Sequence, residues 1–226
     1  MLKYLRATAA AIIAAAFVLG AGQAALATPQ DLVVKAQRVL EDLKTDPNFK
    51  TFRQSVKTAK GILVIPTLVK AGFFFGVEGG SGVLLARDEK GEWSHPAFFT
   101  LGGGSFGLQI GVQAAEVAFV IRTAKGLEAI ISSEVKLGLD GSVSLGAFGR
   151  GIEGSTTLGL GGDIIAYAKS EGAFIGVALE GAVIHRRNDL NREYYGDAAA
   201  TSRAIVLEGG HANPQANELR ETLAGF

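Results

Sequence analysis

Apolar residues recur at helical spacing at two places in the N-terminal third of the chain. Thr28-Pro29 has the character of an N-cap and first helical residue, and Asp31 suits the first turn. The apolar positions of this helix are Leu32, Val33, Ala36, Val39, Leu40 and Leu43. Asp46-Pro47 repeats the start signal and predicts a second helix that ends at Gly61.

The second helix has two stripes along its length. Phe49, Phe52, Val56 and Ala59 form an apolar stripe, and Lys50, Arg53, Lys57 and Lys60 form a basic stripe one residue further round. A basic amphipathic helix of this kind can lie on an anionic membrane, with its phenylalanines inserted and its cations at phosphate level. The alternative is a core-facing apolar stripe with a solvated basic edge.

From residue 62 to about residue 180 the pattern changes to short apolar runs interrupted by glycine, which predicts strands. Residues 82–87 and 92–100 read as a hairpin around a turn at 88–91, and residues 106–113 alternate with a period of two. Further strands are predicted at 116–122, 134–139, 142–148, 155–160, 163–169 and 173–179. Helices are predicted at 125–132, 191–195, 202–207 and 213–223.

These elements predict one α+β domain over residues 28–226. Its centre would be a compact, glycine-rich antiparallel β barrel or a strongly coiled sheet, with N-terminal and C-terminal helices. The chain has 31 Gly in 226 residues, about twice the usual ~7%. Glycine within strands weakens them, so its recurrence indicates close backbone approach or strong curvature.

Residues 1–27 have the pattern of a secretory signal peptide. Lys3 and Arg6 precede an apolar run over residues 7–19, and Ala25-Leu26-Ala27 offers a cleavage site. We therefore expect export to the periplasm or the medium, with the mature protein peripherally associated with a membrane. No cysteine follows the apolar run, so we expect no lipobox anchor.

Composition removes several function classes. The 22 basic and 22 acidic residues balance, which argues against nucleic acid as a partner. With no Cys and only His95, His185 and His211, widely spaced, we expect neither thiol chemistry nor a metal site, and no cofactor.

The segment Gly102–Gly107 matches two catalytic patterns. As G-x-S-x-G it would make Ser105 the nucleophile of an exported serine hydrolase, with Asp163 or Asp189 and with His211. As G-x-G-x-x-G it would bind a dinucleotide. Both patterns require a helix after the turn, whereas the alternation over residues 106–113 favours a strand.

Several motifs in order resemble the SYLF domain family, over about residues 39–209. They are residues 61–73 (GILVIPTLVKAGF), 82–87 (GVLLAR), 93–98 (WSHPAF), 101–113 (LGGGSFGLQIGVQ), 136–138 (KLG), 172–181 and 191–196 (NREYYG).

The resemblance implies a non-enzymatic, lipid-binding protein of the bacterial envelope. Eukaryotic members bind phosphoinositides and some bind actin, which we consider an unlikely partner here. An amphipathic segment at the start of the domain aids membrane contact in the family, and residues 49–60 occupy that place. We therefore expect anionic phospholipid or phosphoinositide-like headgroups to bind at Lys50, Arg53, Lys57, Lys60 and Lys70, with Phe49 and Phe52 inserted.

One feature of the chain qualifies that expectation. The family often has a basic residue in the glycine-rich stretch where this chain has Glu78, so we expect a generic anionic lipid rather than a specific phosphoinositide. A structural module of the envelope that binds another protein is the third function considered, beside lipid binding and serine hydrolysis.

Overall fold

The computed structural model describes residues 27–72, 75–106, 111–132, 135–137, 145–149, 162–170, 179 and 181–226. The helices are α1 (Pro29–Thr45), α2 (Lys50–Lys57), α3 (Ala124–Ser132), α4 (Asn188–Tyr195), α5 (Ser202–Val206) and α6 (Asn217–Ala224). Short 3-10 turns, Pro47–Phe49 and Pro214–Ala216, precede α2 and α6. The strands are β1 (Gly61–Gly72), β2 (Phe75–Ala86), β3 (Ala97–Phe106), β4 (Gly111–Ile121), β5 (Val135–Lys136), β6 (Leu145–Gly149), β7 (Ile164–Ser170) and β8 (Val183–Arg186).

The start of α1 confirms the sequence prediction. Thr28 accepts a hydrogen bond from the Asp31 N–H at 3.2 Å, and the Asp31 carboxylate accepts one from the Thr28 N–H at 3.0 Å. This reciprocal capping box satisfies donors that have no partner within the helix. The second helix begins as predicted after Asp46-Pro47 but ends at Lys57, four residues before Gly61, where β1 begins.

The strands form an eight-stranded sheet in the order β5-β8-β3-β2-β1-β4-β7-β6. All neighbours are antiparallel except β6 and β7, which pair in parallel. The sheet is strongly curled, with helices at both ends of the sequence, which confirms the α+β class and the second of the two predicted architectures.

Helices cover both faces of the sheet around the start of β1. Ile62 and Val64 face a core shared with α1, α2 and α6, whereas Leu63 and Ile65 face a core shared with α3 and α5. We call the first of these the helix face and the second the inner face. Strands buried on both sides read as continuous apolar runs rather than alternating ones, which explains the uninterrupted sequence of residues 62–65.

β1 has one extra residue relative to both of its neighbours. Between Ile65 and Leu68, two steps of β4 oppose three steps of β1. The bulge contains Pro66, which has no N–H to give to a ladder.

Some predicted elements differ in extent. The predicted strand 106–113 is wrong as a single element, because β3 ends at Phe106 and β4 begins at Gly111. The predicted strands 155–160 and 173–179 lie outside the described residues except for Leu179, as does the predicted signal peptide except for Ala27.

Candidate functional site

The two phenylalanines proposed for membrane insertion lie in the protein core. Phe49 is 3% exposed and Phe52 is 0% exposed. The Phe52 ring meets the edges of Tyr167 and Phe226, with centroids 5.2 and 5.6 Å away. The expectation that they insert into a bilayer is therefore corrected, because the apolar stripe of α2 packs on the helix face of the sheet.

Arg53 has a structural role at the end of α1. Its guanidinium donates to the carbonyl oxygens of Asp46 at 2.7 Å and of Leu43 at 3.5 Å. Cations at a helix C-terminus satisfy carbonyls that have no partner within the helix. Arg53 is half-buried, whereas Lys50 at the start of α2 is exposed.

Lys57 and Lys60 line the same cleft. This cleft of about 260 Å³ lies between the end of α2 and the turn after β2, and its other lining residues are Thr58, Ala59, Arg87, Asp88, Glu89 and Gly91. Lys57 and Lys60 are both exposed. The early end of α2 brings them together, since Lys60 lies beyond the helix and its N–H donates to the Ile121 carbonyl at 2.8 Å.

Arg87 is a third cation of the cleft and is not among the candidate residues predicted from the sequence. Its guanidinium donates to the Lys57 carbonyl at 2.7 Å and stacks over the Trp93 ring at 4.4 Å. Its backbone N–H donates to the Lys60 carbonyl at 2.9 Å. Burial lowers the pKa of Arg87 from its usual value, but a guanidinium remains charged at neutral pH. These contacts hold the charge in a fixed position.

The acidic residues of the cleft belong to the hairpin turn. Oδ1 of Asp88 accepts the N–H groups of Lys90 and Glu92 at 2.9 and 2.8 Å, which orders the turn. Asp88 and Glu89 are exposed and lower the net positive charge of the cleft. The lining is therefore mixed in charge, with three cations and two carboxylates, and an anionic group can be held by the cations.

Lys70 lies far from this cleft. Ten strand residues separate Lys60 from Lys70, which is roughly 33 Å of β-strand. Lys70 pairs across the sheet with Glu78 on one side and Gln113 on the other, on the inner face. Glu78 is 7% exposed, and burial raises its pKa while the charge of Lys70 opposes that effect. Lys70 therefore does not belong to the same binding site as Lys57 and Lys60.

Ser105 is not placed as a hydrolase nucleophile would be. It lies within β3, opposite Gly76 of β2, and not in a turn between a strand and a helix. The proposed acids and base have other partners. Asp163 accepts the Thr123 hydroxyl at 2.7 Å, Asp189 pairs with Arg187, and His211 contacts Asp197 at 3.0 Å.

The described residues of the dinucleotide pattern lie in a strand, and the next described residues, from Gly111, begin β4. Gly102 and Gly104 lie within β3, and Gly107 is outside the described residues. Within the part of the chain that the structure describes, no three His, Asp or Glu side chains are grouped as metal ligands. Over the same residues, none of the helices has the length and apolar character needed to span a bilayer.

Comparison with known proteins shows the family to which this chain belongs. Residues 102–226 match the family model Ysc84, described as "Las17-binding protein actin regulator". The chain is 36% identical over 171 residues to "Protein YSC84" of Saccharomyces cerevisiae, which covers 74% of this chain and 36% of that protein. It is 33% identical over 174 residues to "SH3 domain-containing YSC84-like protein 1" of Homo sapiens, covering 76% of this chain and 50% of that protein.

A further relative is "LAS seventeen-binding protein 3" of Saccharomyces cerevisiae, 35% identical over 164 residues, with 71% of this chain and 35% of that protein covered. The chain thus spans half or less of the length of these curated relatives, and none of the three names describes an enzyme. The family match covers more than half of the chain, so the chain belongs to the Ysc84 family, the SYLF family that its motifs resemble.

Proposed function

We propose that this protein is a non-enzymatic module that binds anionic phospholipid surfaces through the cleft between α2 and the β2–β3 turn. The observation that carries the proposal is the convergence of Lys57, Lys60 and Arg87 on that cleft. Lys50 is exposed two helical turns before Lys57, on the same side of α2, and adds to the attraction.

The chemistry of these cations suits a phosphate headgroup. A guanidinium matches the geometry of phosphate oxygens, and Arg87 is already oriented by the Lys57 carbonyl and Trp93. The two ammonium groups are mobile point charges, each worth about 1 kcal/mol near an anionic membrane. Because Asp88 and Glu89 offset part of this charge, we expect modest affinity that falls as salt is raised.

Co-sedimentation with vesicles tests the proposal. The purified chain is mixed with phosphatidylcholine vesicles containing about one third phosphatidylglycerol, at low and at physiological salt. We expect binding at low salt, and at least tenfold weaker binding for a Lys57→Glu/Lys60→Glu variant, since two attractive charges become repulsive. The matched control reverses Lys35 and Lys125, two exposed lysines elsewhere, and gives the same net charge.

Two results would contradict the proposal. The first is no sedimentation of the wild-type chain with anionic vesicles at low salt. The second is equal weakening by the cleft variant and by its control, which would show that only the net charge matters.

We also propose that the protein is exported and acts at the surface of a membrane in the periplasm or outside the cell. The pattern of residues 1–27 supports this. Expression of the full chain in a Gram-negative host, followed by fractionation and intact mass measurement, tests it. We expect a mature species that begins at Thr28, whereas an unprocessed cytoplasmic chain would refute export.

Binding to a protein is the second candidate function, because the family description and the name of one yeast relative, "LAS seventeen-binding protein 3", state binding to Las17. Co-sedimentation with actin filaments and capture by immobilised Las17 test this candidate. Retention on either one, together with no binding to anionic vesicles, would favour a protein partner over lipid.

A further inference from the structure

The C-terminal segment, by which we mean the chain from Asn213 onward, is tied by hydrogen bonds to the residues before β3 and to α4. The backbone N–H of Asn213 donates to Nδ1 of His95 at 3.3 Å. The Asn213 side-chain amide donates to the Tyr194 carbonyl at 3.0 Å, and Nε of Arg220 donates to the Trp93 carbonyl at 2.8 Å. The first of these contacts depends on the protonation state of a histidine.

The contact between His95 and Asn213 requires a neutral imidazole. A backbone N–H can only donate, so Nδ1 of His95 has to offer its lone pair and the ring proton has to be on Nε2. A protonated imidazole carries an N–H on both nitrogens. Protonation of His95 would therefore set two donors against each other and remove the acceptor of the Asn213 N–H, which is costly in this half-buried place.

The groups around His95 also favour its neutral form. Burial lowers the pKa of His95, and the charge of Arg220 lowers it further. Among the residues that the structure describes, Arg220 is the charged group that acts on this ring. The α4 helix contributes Tyr194 and Tyr195, and the Tyr195 hydroxyl donates to the Pro96 carbonyl at 2.7 Å. Burial raises the pKa of both tyrosines, so their hydroxyls are neutral over the range in which a histidine titrates.

A second histidine lies two residues before Asn213, and its contacts are different. Nε2 of His211 is 3.0 Å from a carboxylate oxygen of Asp197, and its ring meets the edge of Tyr195. A positive charge on His211 would strengthen the pairing with Asp197, but it would also add an N–H at Nδ1, which is buried and without a partner among the described residues. His211 is therefore the competing titrating group, and the test has to separate it from His95.

We propose that His95 is a pH-sensitive latch, which holds the C-terminal segment when the ring is neutral and releases it when the ring is protonated. Both consequences of the added proton act on this segment, because Asn213 loses its acceptor and Arg220 meets a like charge. The remaining attachment is apolar, through Leu219 and Leu223 in the core of the helix face. The proposal does not depend on the lipid-binding function.

The size of the effect follows from proton linkage. The pKa of His95 is lower in the closed state than in an open state, so the closed state is favoured at high pH and opening is favoured as the pH falls below the usual pKa of histidine. With an open-state pKa of about 6.5, the open fraction can rise by at most about 30-fold between about pH 7.5 and about pH 5. We expect about tenfold, since the closed state also takes up some protons at the lower pH.

Hydrogen exchange of the full chain, read by mass spectrometry of its peptides, measures the opening. Protection factors at the two pH values are compared, because they remove the intrinsic dependence of exchange on pH. The internal control is α3, which packs on the inner face of the sheet and not on the C-terminal segment. We expect α6 of the wild type to lose about tenfold in protection at the lower pH, and α3 to keep its protection.

His95→Asn is the decisive variant. Its side-chain carbonyl can accept the Asn213 N–H in place of Nδ1 and does not titrate, so the protection of α6 should be the same at both pH values. The matched control is His211→Asn, which makes the same substitution at the competing histidine. This control should retain the tenfold change.

Three outcomes would overturn the proposal. The first is equal protection of α6 at both pH values in the wild type. The second is a pH effect that persists in His95→Asn and disappears in His211→Asn, which would assign the titration to His211. The third is an equal loss of protection in α3, which would show unfolding of the whole domain rather than release of one segment.

A measurement on the wild type keeps the proposal testable if His95→Asn does not fold. Long-range proton–nitrogen NMR of the imidazole rings distinguishes the two neutral tautomers. We expect His95 to carry its proton on Nε2 at about pH 7.5, as the contact with Asn213 requires. A proton on Nδ1 would refute that contact and the latch with it.

Discussion

Replacing Phe52 separates the two roles that the sequence allows for α2. If Phe52 inserts into lipid, Phe52→Ala weakens vesicle binding and leaves stability unchanged. If it belongs to the core, as its 0% exposure shows, the same change lowers the free energy of unfolding and leaves the affinity of the folded protein for vesicles unchanged.

The expected loss of stability is large. Phe→Ala in a core costs about 3–5 kcal/mol through lost transfer energy and the remaining cavity. The edge-to-face contacts with Tyr167 and Phe226 contribute to the upper part of that range. Tyr167 is also held by the Ser55 hydroxyl, 2.8 Å away and one turn beyond Phe52, so local collapse around the cavity is restricted. We expect a loss of about 4 kcal/mol.

Urea unfolding followed by the fluorescence of Trp93 measures this loss. Trp93 is the one tryptophan of the chain, is 2% exposed, and lies in the same core as Phe52. With a slope of about 2 kcal/mol per molar urea, the midpoint should fall by about 2 M. Val112→Ala is the control, because a residue 69% exposed should change stability by less than about 0.5 kcal/mol.

Two results together would refute the core assignment. The urea midpoint of Phe52→Ala would lie within 0.3 M of the wild type, which is roughly 0.6 kcal/mol at that slope, and its vesicle binding would be tenfold weaker. Phe52→Leu retains an apolar side chain of similar size, so we expect it to lose about half as much stability as Phe52→Ala. Its inclusion keeps the test informative if Phe52→Ala does not fold.

Two further predictions concern the sheet. A Cβ at residue 82 would lie 1.8 Å from the Val64 carbonyl oxygen, whereas at residue 79 it would come no closer than 3.8 Å to its nearest neighbour. Thermal unfolding should therefore show Gly82→Ala strongly destabilised, by more than about 3 kcal/mol, and Gly79→Ala within about 1 kcal/mol of the wild type; equal melting temperatures would contradict the packing. Burial raises the pKa of Glu78, and the charge of Lys70 opposes part of that rise. The folded state therefore keeps the Glu78 proton to a higher pH than the unfolded state does, and stability falls as the pH rises through the raised pKa. In Glu78→Gln, the urea midpoint should vary less with pH over that range and should be higher at pH 7 than in the wild type. An unchanged dependence of the midpoint on pH would show that Glu78 does not contribute.

The helices and the class of fold could be predicted because their signals are local. Thr28-Pro29 and Asp46-Pro47 begin helices through contacts within four residues, and the apolar spacing that follows fixes the buried side. The apolar run of residues 62–65 is continuous because both faces of this part of β1 are covered.

The roles of the α2 side chains could not be predicted in the same way. An apolar stripe beside a basic stripe is equally suited to a sheet and to a membrane surface, since both bury one side of the helix. Only the position of α2 on the sheet decides that Phe52 is buried. Arg87 was missed for a related reason. Its partner in the cleft, Lys57, is 30 residues earlier in the chain, and the pairing of β1 with β2 brings them together.

The bulge in β1 determines which residues lie in the exposed apolar row that Val112, Ala71 and Val77 form on the helix face beyond it. Because side chains alternate along a strand, one extra residue reverses the face of everything that follows it. With the bulge, Val69 and Ala71 lie on the helix face and Lys70 lies on the inner face opposite Glu78. Without it, Lys70 would stand in the middle of the exposed apolar row and Val69 would point to the inner face. The exposed apolar row therefore depends on one inserted residue, whose only local sign in the sequence is the proline within the strand.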